Sequence, residues 1–410
     1  MKDHLKIAIF SGAIPSTTFI EHLIEGVAKT HQVLLFGVIE KHKRYSTKHI
    51  RIYKTPQSHI LNLCYTLYRC LLLCLTNPKA IFQLIKEVNQ YPTFYERWIW
   101  FSKFLPIILY RPDVFHMQWT RDLEFYTFLK TRFNVPIVVS LRGAHINYTP
   151  IITHRVADIY RNTFPNIDAC HAVSKAIAQE ASQYGNIQSK VSVIHSPVPS
   201  LFFDGFTPYR RCSNSHIKLV SVGRFHWKKG FRYAFDALSL LIEKGFQITY
   251  TIIGSKQLPE DLLFQMDQLH LQEHINLVEA MEQSKLIKTL QTFDLFLLPS
   301  VEEGIANVVL EAMAIGLPVI STDCGGMSEV VKHKETGWLV PLRNPKAIAD
   351  AVIEVSNASE VELERITKNA HDFVKTHFDA EDSIRLFLEL YDVVYSSSNE
   401  KIPTSLHSSE

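Results

Sequence analysis

LFLLPSVEEGIANVVLEAMAIGLPVI, running from Leu295 to Ile320, is the stretch whose reading decides the fold. The apolar run Leu295–Leu298 reads as a buried strand, and Pro299 and Ser300 end it. A loop carrying Glu302, Glu303 and Gly304 follows, then a helix from about Ala306 to Ala314. Gly316 and Pro318 stop that helix, and the next apolar run begins at once. Strand, helix and strand in so short a span are the unit of a parallel sheet flanked by helices.

The same stretch carries chemistry. A helix N-terminus presents free N–H groups and partial positive charge, a ready seat for phosphate, and Gly304 lets a ligand approach the backbone. Glu303 and Glu311 have seven residues between them. From Ile305 to Glu311 a helix climbs roughly 9 Å at ~1.5 Å per residue. One carboxylate can therefore meet a sugar on one side of a diphosphate while the other meets a ribose on the far side. Each accepts hydroxyl hydrogen bonds. Either glutamate alone reads as a solvated surface residue; the pair, placed after a strand, carries the argument.

Upstream, Val222–Gly230 (VGRFHWKKG) turns at a glycine after a strand and sets Arg224 and Lys229 ahead of a helix. Ligands of open α/β sheets bind at the carboxyl ends of strands, and two cations there can neutralise a diphosphate. The motif is neither the dinucleotide-binding G-x-G-x-x-G nor a P-loop, so a dehydrogenase or NTPase finds no support in it. Downstream, Ser321–Val330 (STDCGGMSEV) is a strand end, a Gly-Gly turn and a helix start that can close over a nucleotide. Around these lie strands at Ile217–Val222, Gln247–Ile253 and Ile275–Val278, with helices at Phe231–Lys244, Pro259–His270 and Ser284–Thr292. A last helix is expected from about Ala380 to Tyr395.

The N-terminal half repeats the pattern less regularly. Strands are expected at Lys6–Phe10, Gln32–Val38, Val114–Met117, Ile137–Leu141, Ala169–Val173 and Val191–Ile194, and a helix at Phe19–Lys29. Between them His59–Tyr110 is helical in character and crowded with aromatics, whose Trp and Tyr surplus suits a membrane interface as well as a core. Residues 1–200 hold 23 Lys/Arg against 12 Asp/Glu, a net of +11; residues 201–410 hold 20 against 29, a net of −9. Nine basic and no acidic residues lie between Lys41 and Lys86. Such a block fits an anionic surface or simply a solvated face. Cys70 and Cys74 read as buried thiols in a reducing compartment. The N-terminus lacks a signal-peptide pattern, and the most apolar run, Ile60–Leu75, is broken by Arg69. The chain is therefore expected to be cytoplasmic. At 410 residues it suits two domains joined near Asp204–Ser215.

Taken together, G-R-x-x-x-K-K-G from Gly223, P-S-x-E-E-G-x-x-x-x-x-L-E-A-M-A-x-G-x-P-V from Pro299, G-G-x-x-E-V from Gly325 and T-G-W-L-V from Thr336 resemble the C-terminal domain of glycosyltransferase family 4. Ala172–Lys175 (AVSK), Lys190–His195 (KVSVIH) and Pro112–His116 (PDVFH) resemble that family's first-domain markers. The resemblance implies an α/β GT-B fold, with two Rossmann-like domains facing across a cleft and a C-terminal helix crossing back to the first. The expected parts are 1–205 for the acceptor, 216–380 for the nucleotide-sugar, a crossover helix 381–396 and a disordered tail 397–410.

The resemblance also implies roles. Arg224 and Lys229 bind the donor diphosphate, Glu303 faces the donor sugar, and Glu311 bonds the ribose hydroxyls. Gly223, Gly304, Ile305, Ala306 and Asn307 line the donor site, and Gly12, in Ser11–Phe19 (SGAIPSTTF), carries over from the family's glycine loop. Where members often have His-Gly-x-Asp, this chain has Arg142-Gly-Ala-His145. Arg142 and His145, with His116, are therefore candidates for acceptor or phosphate contacts. The expected activity is retaining transfer of a sugar from an NDP-sugar to a glycan or lipid-linked glycan in cell-surface polysaccharide synthesis. No metal or other cofactor and no nucleic acid are expected, and peripheral contact with an anionic membrane is. The alternatives are a soluble enzyme of sucrose or trehalose type, and a non-catalytic member that binds a sugar nucleotide.

Overall fold

The computed structural model describes residues 4–211 and 216–400. It divides into two compact units. Unit 1 comprises the chain up to Val173, Ala178–Ile194 and the stretch from Glu381; unit 2 comprises Ser174–Ile177 and His195–Ala380. The boundary thus falls at Ile194, ahead of residue 205, and part of the expected linker, 212–215, lies outside the described residues.

Unit 1 is built on a parallel sheet. Its strands are β1 (Lys6–Phe10), β2 (Gly12–Ile14), β3 (Gln32–Ile39), β4 (Ile50–Lys54), β5 (Val114–Met117), β6 (Ile137–Leu141), β7 (Ala169–Ala172) and β8 (Val191–Val193). They lie in the order β2-β3-β1-β5-β6-β7-β8, with β4 on β3. β1 is central: Ile7 is in register with Val33 on one side and Val114 on the other. Ile7, Ala8 and Ile9 are buried on both faces of the sheet, which explains the strand's continuous apolar run. Helix α1 (Thr18–Val27) packs Ile20, Leu23 and Ile24 on the sheet. The helix Ala380–Glu400 adds Phe387, Leu390, Tyr391 and Val394 to the same core. Gly26 makes room for it, since a Cβ there would lie 2.4 Å from Ile384 Cδ1. This last helix runs four residues past the expected end at 396, so the start of the expected disordered tail is helical; residues 401–410 lie outside the described residues.

Helices α2 (His59–Thr76), α3 (Pro78–Val88) and α4 (Phe94–Tyr110) separate β4 from β5. Thr93 and Glu96 form a reciprocal capping box that starts α4. Trp100 stacks on Phe125 with ring centroids 4.3 Å apart and on Phe104 at 5.2 Å. Much of the aromatic surplus is therefore internal packing. Arg69 does not break α2, which is one helix long and apolar enough to cross a membrane by length and composition. Cys74 is exposed and Cys70 half-buried on α2, against the expectation of buried thiols, because the helix turns its polar side inward.

Unit 2 has six parallel strands: β9 (Ile217–Val222), β10 (Ile248–Gly254), β11 (Ile275–Glu279), β12 (Leu295–Leu298), β13 (Val319–Thr322) and β14 (Trp338–Val340). Their order is β11-β10-β9-β12-β13-β14. Alternate residues feed opposite faces. Leu219, Ile252, Leu295 and Leu297 join Phe235 and Leu238 on one side, while Val220, Ile253, Phe296 and Leu298 join Val309 and Leu310 on the other. The order reverses between β9 and β12. Helices leaving these two strands diverge, and the crevice between their carboxyl ends is where an open α/β sheet receives a ligand.

Candidate active site

The loops after β9 and β12 meet at that crevice because glycines permit it. Gly230 has φ +64°, and a Cβ there would stand 2.0 Å from the Pro299 carbonyl oxygen. Any side chain would be strained and would also push the loops apart. The Val301 amide donates to the Lys228 carbonyl at 2.7 Å, locking the contact. The Lys229 ammonium then donates to Glu303 Oε1 at 2.6 Å, and the Ser300 hydroxyl donates to the same oxygen at 3.1 Å. Arg224 is exposed on the same loop and has no ion pair among the described residues.

Behind Glu303 the chain enters the helix Asn307–Ala314, whose N-terminus has no side-chain cap. The Asn307 and Val308 amides are left for a ligand, while the Val309 amide donates to the Ala306 carbonyl at 2.9 Å. The Gly-Gly turn presses on this loop: Gly326 N–H donates to the Gly304 carbonyl at 2.7 Å, and a Cβ on Gly325 would lie 1.7 Å from the Glu303 carbonyl oxygen. Glu329 faces elsewhere, accepting from the Lys175 and Ala176 amides at 3.1 and 3.0 Å. Burial raises its carboxyl, but those bonds and His195 outweigh it and leave the pKa below the ordinary value.

Glu311, farther along that helix, is half-buried, and its carboxyl makes no hydrogen bond among the described residues. Burial without a partner pushes its carboxyl up to about 7. The two carboxylates, one in the loop ahead of the helix and one on the helix itself, thus have different settings: Glu303 is already paired with a cation, whereas Glu311 lacks the donors that would hold it ionised. A cavity of about 360 Å³, lined by Phe225, Trp227, Arg232, Tyr233 and Arg343, borders the loop after β9 and includes neither glutamate.

In unit 1 the glycine loop and the end of β6 come together. Gly12 has φ +85° with open space where a Cβ would be, and a Cβ on Gly37 would strike the Gly12 carbonyl oxygen at 2.4 Å. Arg142 donates from Nη2 to Gln118 Oε1 at 3.2 Å and lies 4.3 Å over the Phe19 ring. No carboxylate pairs with it among the described residues. Its Nε and the Gln118 Nε2 are buried without partners, and burial lowers the guanidinium pKa to about 9. His145 is half-buried with its ring 5.5 Å from Trp119.

His116 does not belong to this group. It is fully buried, with Nδ1 against the Tyr391 hydroxyl at 2.7 Å and Nε2 against the Ser140 hydroxyl at 2.9 Å. Burial drops its pKa to about 3, so it is a neutral core residue with both nitrogens engaged rather than an acceptor contact. The structure adds two residues that sequence reasoning missed. Ser300, next to the strand end, braces Glu303, and Gln118, two residues beyond His116, holds Arg142.

Both the sequence and the fold have known relatives. The family model for glycosyl transferases group 1 matches residues 213–373, and that for Glycosyltransferase Family 4 matches residues 17–200. The amylovoran biosynthesis glycosyltransferase AmsK of Erwinia amylovora is 27% identical over 261 residues, 62% of this chain and 63% of the relative. The putative colanic acid biosynthesis glycosyltransferase WcaL of Escherichia coli is 28% identical over 250 residues, 59% of this chain and 61% of its own length. These matches span less than two thirds of either relative. N-acetyl-alpha-D-glucosaminyl L-malate synthase of Bacillus anthracis is 30% identical over 71% of this chain and 77% of its own. Among solved structures, sucrose-phosphate synthase of Thermosynechococcus elongatus aligns with TM-score 0.71 at 16% identity, covering 96% of this chain and all of the other. Anabaena HepE, crystallised with UDP and glucose, aligns with TM-score 0.67 at 17% identity over 95% of this chain and all of its own. With both halves matched by its models and a relative shared over most of its length, the chain belongs to the family 4, group 1 glycosyltransferases and has their GT-B type of fold.

Proposed function

We propose that the protein is a retaining glycosyltransferase that takes a sugar from an NDP-sugar and adds it to a glycan or lipid-linked glycan during cell-surface polysaccharide synthesis. The observation that carries this reading is the Lys229–Glu303 pair beside an uncapped helix N-terminus, with the unpartnered Glu311 farther along the same helix. Arg224, Lys229 and the Asn307 and Val308 amides hold the donor diphosphate, Glu303 takes sugar hydroxyls, and Glu311 takes the ribose hydroxyls.

In the reaction, the bond from the anomeric carbon to the diphosphate oxygen breaks and its electron pair leaves with the NDP. The acceptor oxygen bonds that carbon from the same face, and its proton passes to the departing diphosphate. Charge develops on that leaving group, so the preorganised cations supply the main catalytic term without a metal ion. Arg142 and Gln118 receive an anionic group of the bound substrates in unit 1. The relatives AmsK and WcaL, named for exopolysaccharide synthesis, support the polysaccharide class. HepE, crystallised with UDP and glucose, supports a nucleotide-sugar donor. A cytoplasmic site of action follows from the same reading.

A panel of UDP-, GDP- and dTDP-sugars, assayed for slow hydrolysis with and without EDTA, tests this. One donor is expected to be turned over equally under both conditions. Binding without turnover of any donor would instead mark a non-catalytic member, and transfer to sucrose- or trehalose-type acceptors would mark the soluble small-molecule alternative.

A further inference from the structure

Helix α2 is inside out. Its buried positions are Asn62, Thr66, Arg69 and Leu73, spaced so that three polar side chains face the protein. Asn62 donates to the Ser102 hydroxyl at 3.0 Å, and Arg69 donates to the Lys54 carbonyl at 2.9 Å. The outward positions are apolar: Ile60 is 76% exposed, Leu67 61%, Leu71 61% and Leu75 74%, with Leu61, Leu63 and Tyr68 beside them. Phe82 of α3, 73% exposed, extends the patch. A surface helix of a soluble domain has the opposite polarity, with charge outward and apolar residues in the core. An apolar face this continuous requires a cover.

The charge around it identifies the cover. Lys41 to Lys86 contains no acidic residue, and Lys41, Arg44, Lys48, Arg51, Lys79 and Lys86 are exposed. Lys79 and Lys86 lie on α3 with the exposed Phe82 between them in sequence, and such cations beside exposed apolar side chains match a bilayer whose headgroups are anionic and whose acyl chains lie just beneath. A spanning orientation fits poorly, because α2 is held along its polar side by Ser102 of α4 and by the Lys54 backbone.

We propose that α2, with Phe82, lies in the plane of an anionic lipid bilayer and docks unit 1 on it. The full chain is tested by co-sedimentation with phosphatidylcholine vesicles with and without phosphatidylglycerol. Strong, salt-sensitive binding to the anionic vesicles is expected. Leu67→Glu/Leu71→Glu should weaken partitioning at least about tenfold by loss of apolar insertion, and Lys79→Glu/Lys86→Glu should do so on anionic vesicles only. All four side chains are exposed, so melting temperatures should hold; Phe82→Asp is the second probe of the face if the paired leucine change does not fold. A chain that stays in the supernatant, or sediments equally well with Leu67→Glu/Leu71→Glu, overturns the proposal. So does a dimer in light scattering that the leucine changes dissolve without any vesicle binding. The inference does not rest on the proposed chemistry, since donor hydrolysis in solution should be unchanged by these substitutions.

Discussion

Each of the two sheets presents a cation at the carboxyl ends of its strands, and the two are treated in opposite ways. In unit 2 Lys229 is neutralised by Glu303 at 2.6 Å, and Ser300 steadies the carboxylate. In unit 1 the half-buried Arg142, whose Nε is buried, has among the described residues only a neutral amide and an aromatic ring, with that Nε unpartnered. Buried charge without a counter-ion costs several kcal/mol unless something else compensates it. A preformed ion pair holds its geometry before a ligand arrives; a lone buried cation is completed by one. The first arrangement suits the invariant part of a substrate, such as a diphosphate, and the second suits a group that only the right substrate brings.

The largest effect that could break this contrast comes from Lys229→Ala. Transfer is expected to fall at least about 10³-fold in kcat/KM, with melting temperature nearly unchanged; an active, folded variant would remove Lys229 from the mechanism. Gly230→Ala tests the scaffold instead. Its Cβ would clash with the Pro299 carbonyl oxygen, and thermal unfolding should show a loss of about 2–4 kcal/mol, more than a glycine in a free turn would cost. Arg142→Gln keeps a hydrogen-bonding group but removes the charge. Transfer should drop about 10- to 100-fold through KM for the anionic substrate, while stability holds or rises as an unpaired buried cation is lost. Wild-type kinetics with lower stability would make Arg142 a purely structural residue.

The smallest effect is on Glu311. Its folded pKa, about 7, lies above the ordinary carboxyl value, so the unfolded chain gives up its proton first as pH rises. The sign follows: the ligand-free protein loses stability through this group as pH climbs from the ordinary value towards 7, and Glu311→Gln should recover about 1–2 kcal/mol at alkaline pH. With Glu311 in the ribose role proposed above, donor binding has the opposite dependence, because hydroxyls donate best to the ionised form. Calorimetric Kd values should weaken as pH falls through about 7, and Glu311→Gln should bind about tenfold more weakly at alkaline pH with that dependence gone. An unaltered pH profile in the variant would assign the titration to another group.

Both sheets were legible from sequence where strands are short, apolar and bounded by glycine or proline, as at Leu295–Leu298 and Ile217–Val222. Local pattern also read the helix that carries Glu311, which begins at Asn307, so that the expected helical climb from Ile305 is in part loop. Pairings over long sequence separation were not legible. His116 sits in a motif near a strand end, and nothing local reveals that Tyr391, 275 residues away, caps its ring in the core. Composition likewise read α2 as apolar without showing which side faces the protein. Arg69, which interrupts the apolar run in sequence, is one of the residues that hold the helix down. Of the strands that escaped notice, β2 sits inside the loop after β1, β4 carries Arg51 and Lys54 in place of an apolar run, and β14 has three residues.

The helix Ala380–Glu400 has a consequence for biosynthesis. Most of unit 1 is made before unit 2, yet Phe387, Leu390 and Tyr391 of its core are made after unit 2. Domains generally fold as units during synthesis. Here the earlier half must wait, with the slot at Gly26 open and His116 short of a partner, while the nearly contiguous unit 2 closes first. Order of emergence and order of completion are reversed, so a nascent chain stalled before residue 380 would present a finished unit 2 and an unfinished unit 1 to chaperones and proteases.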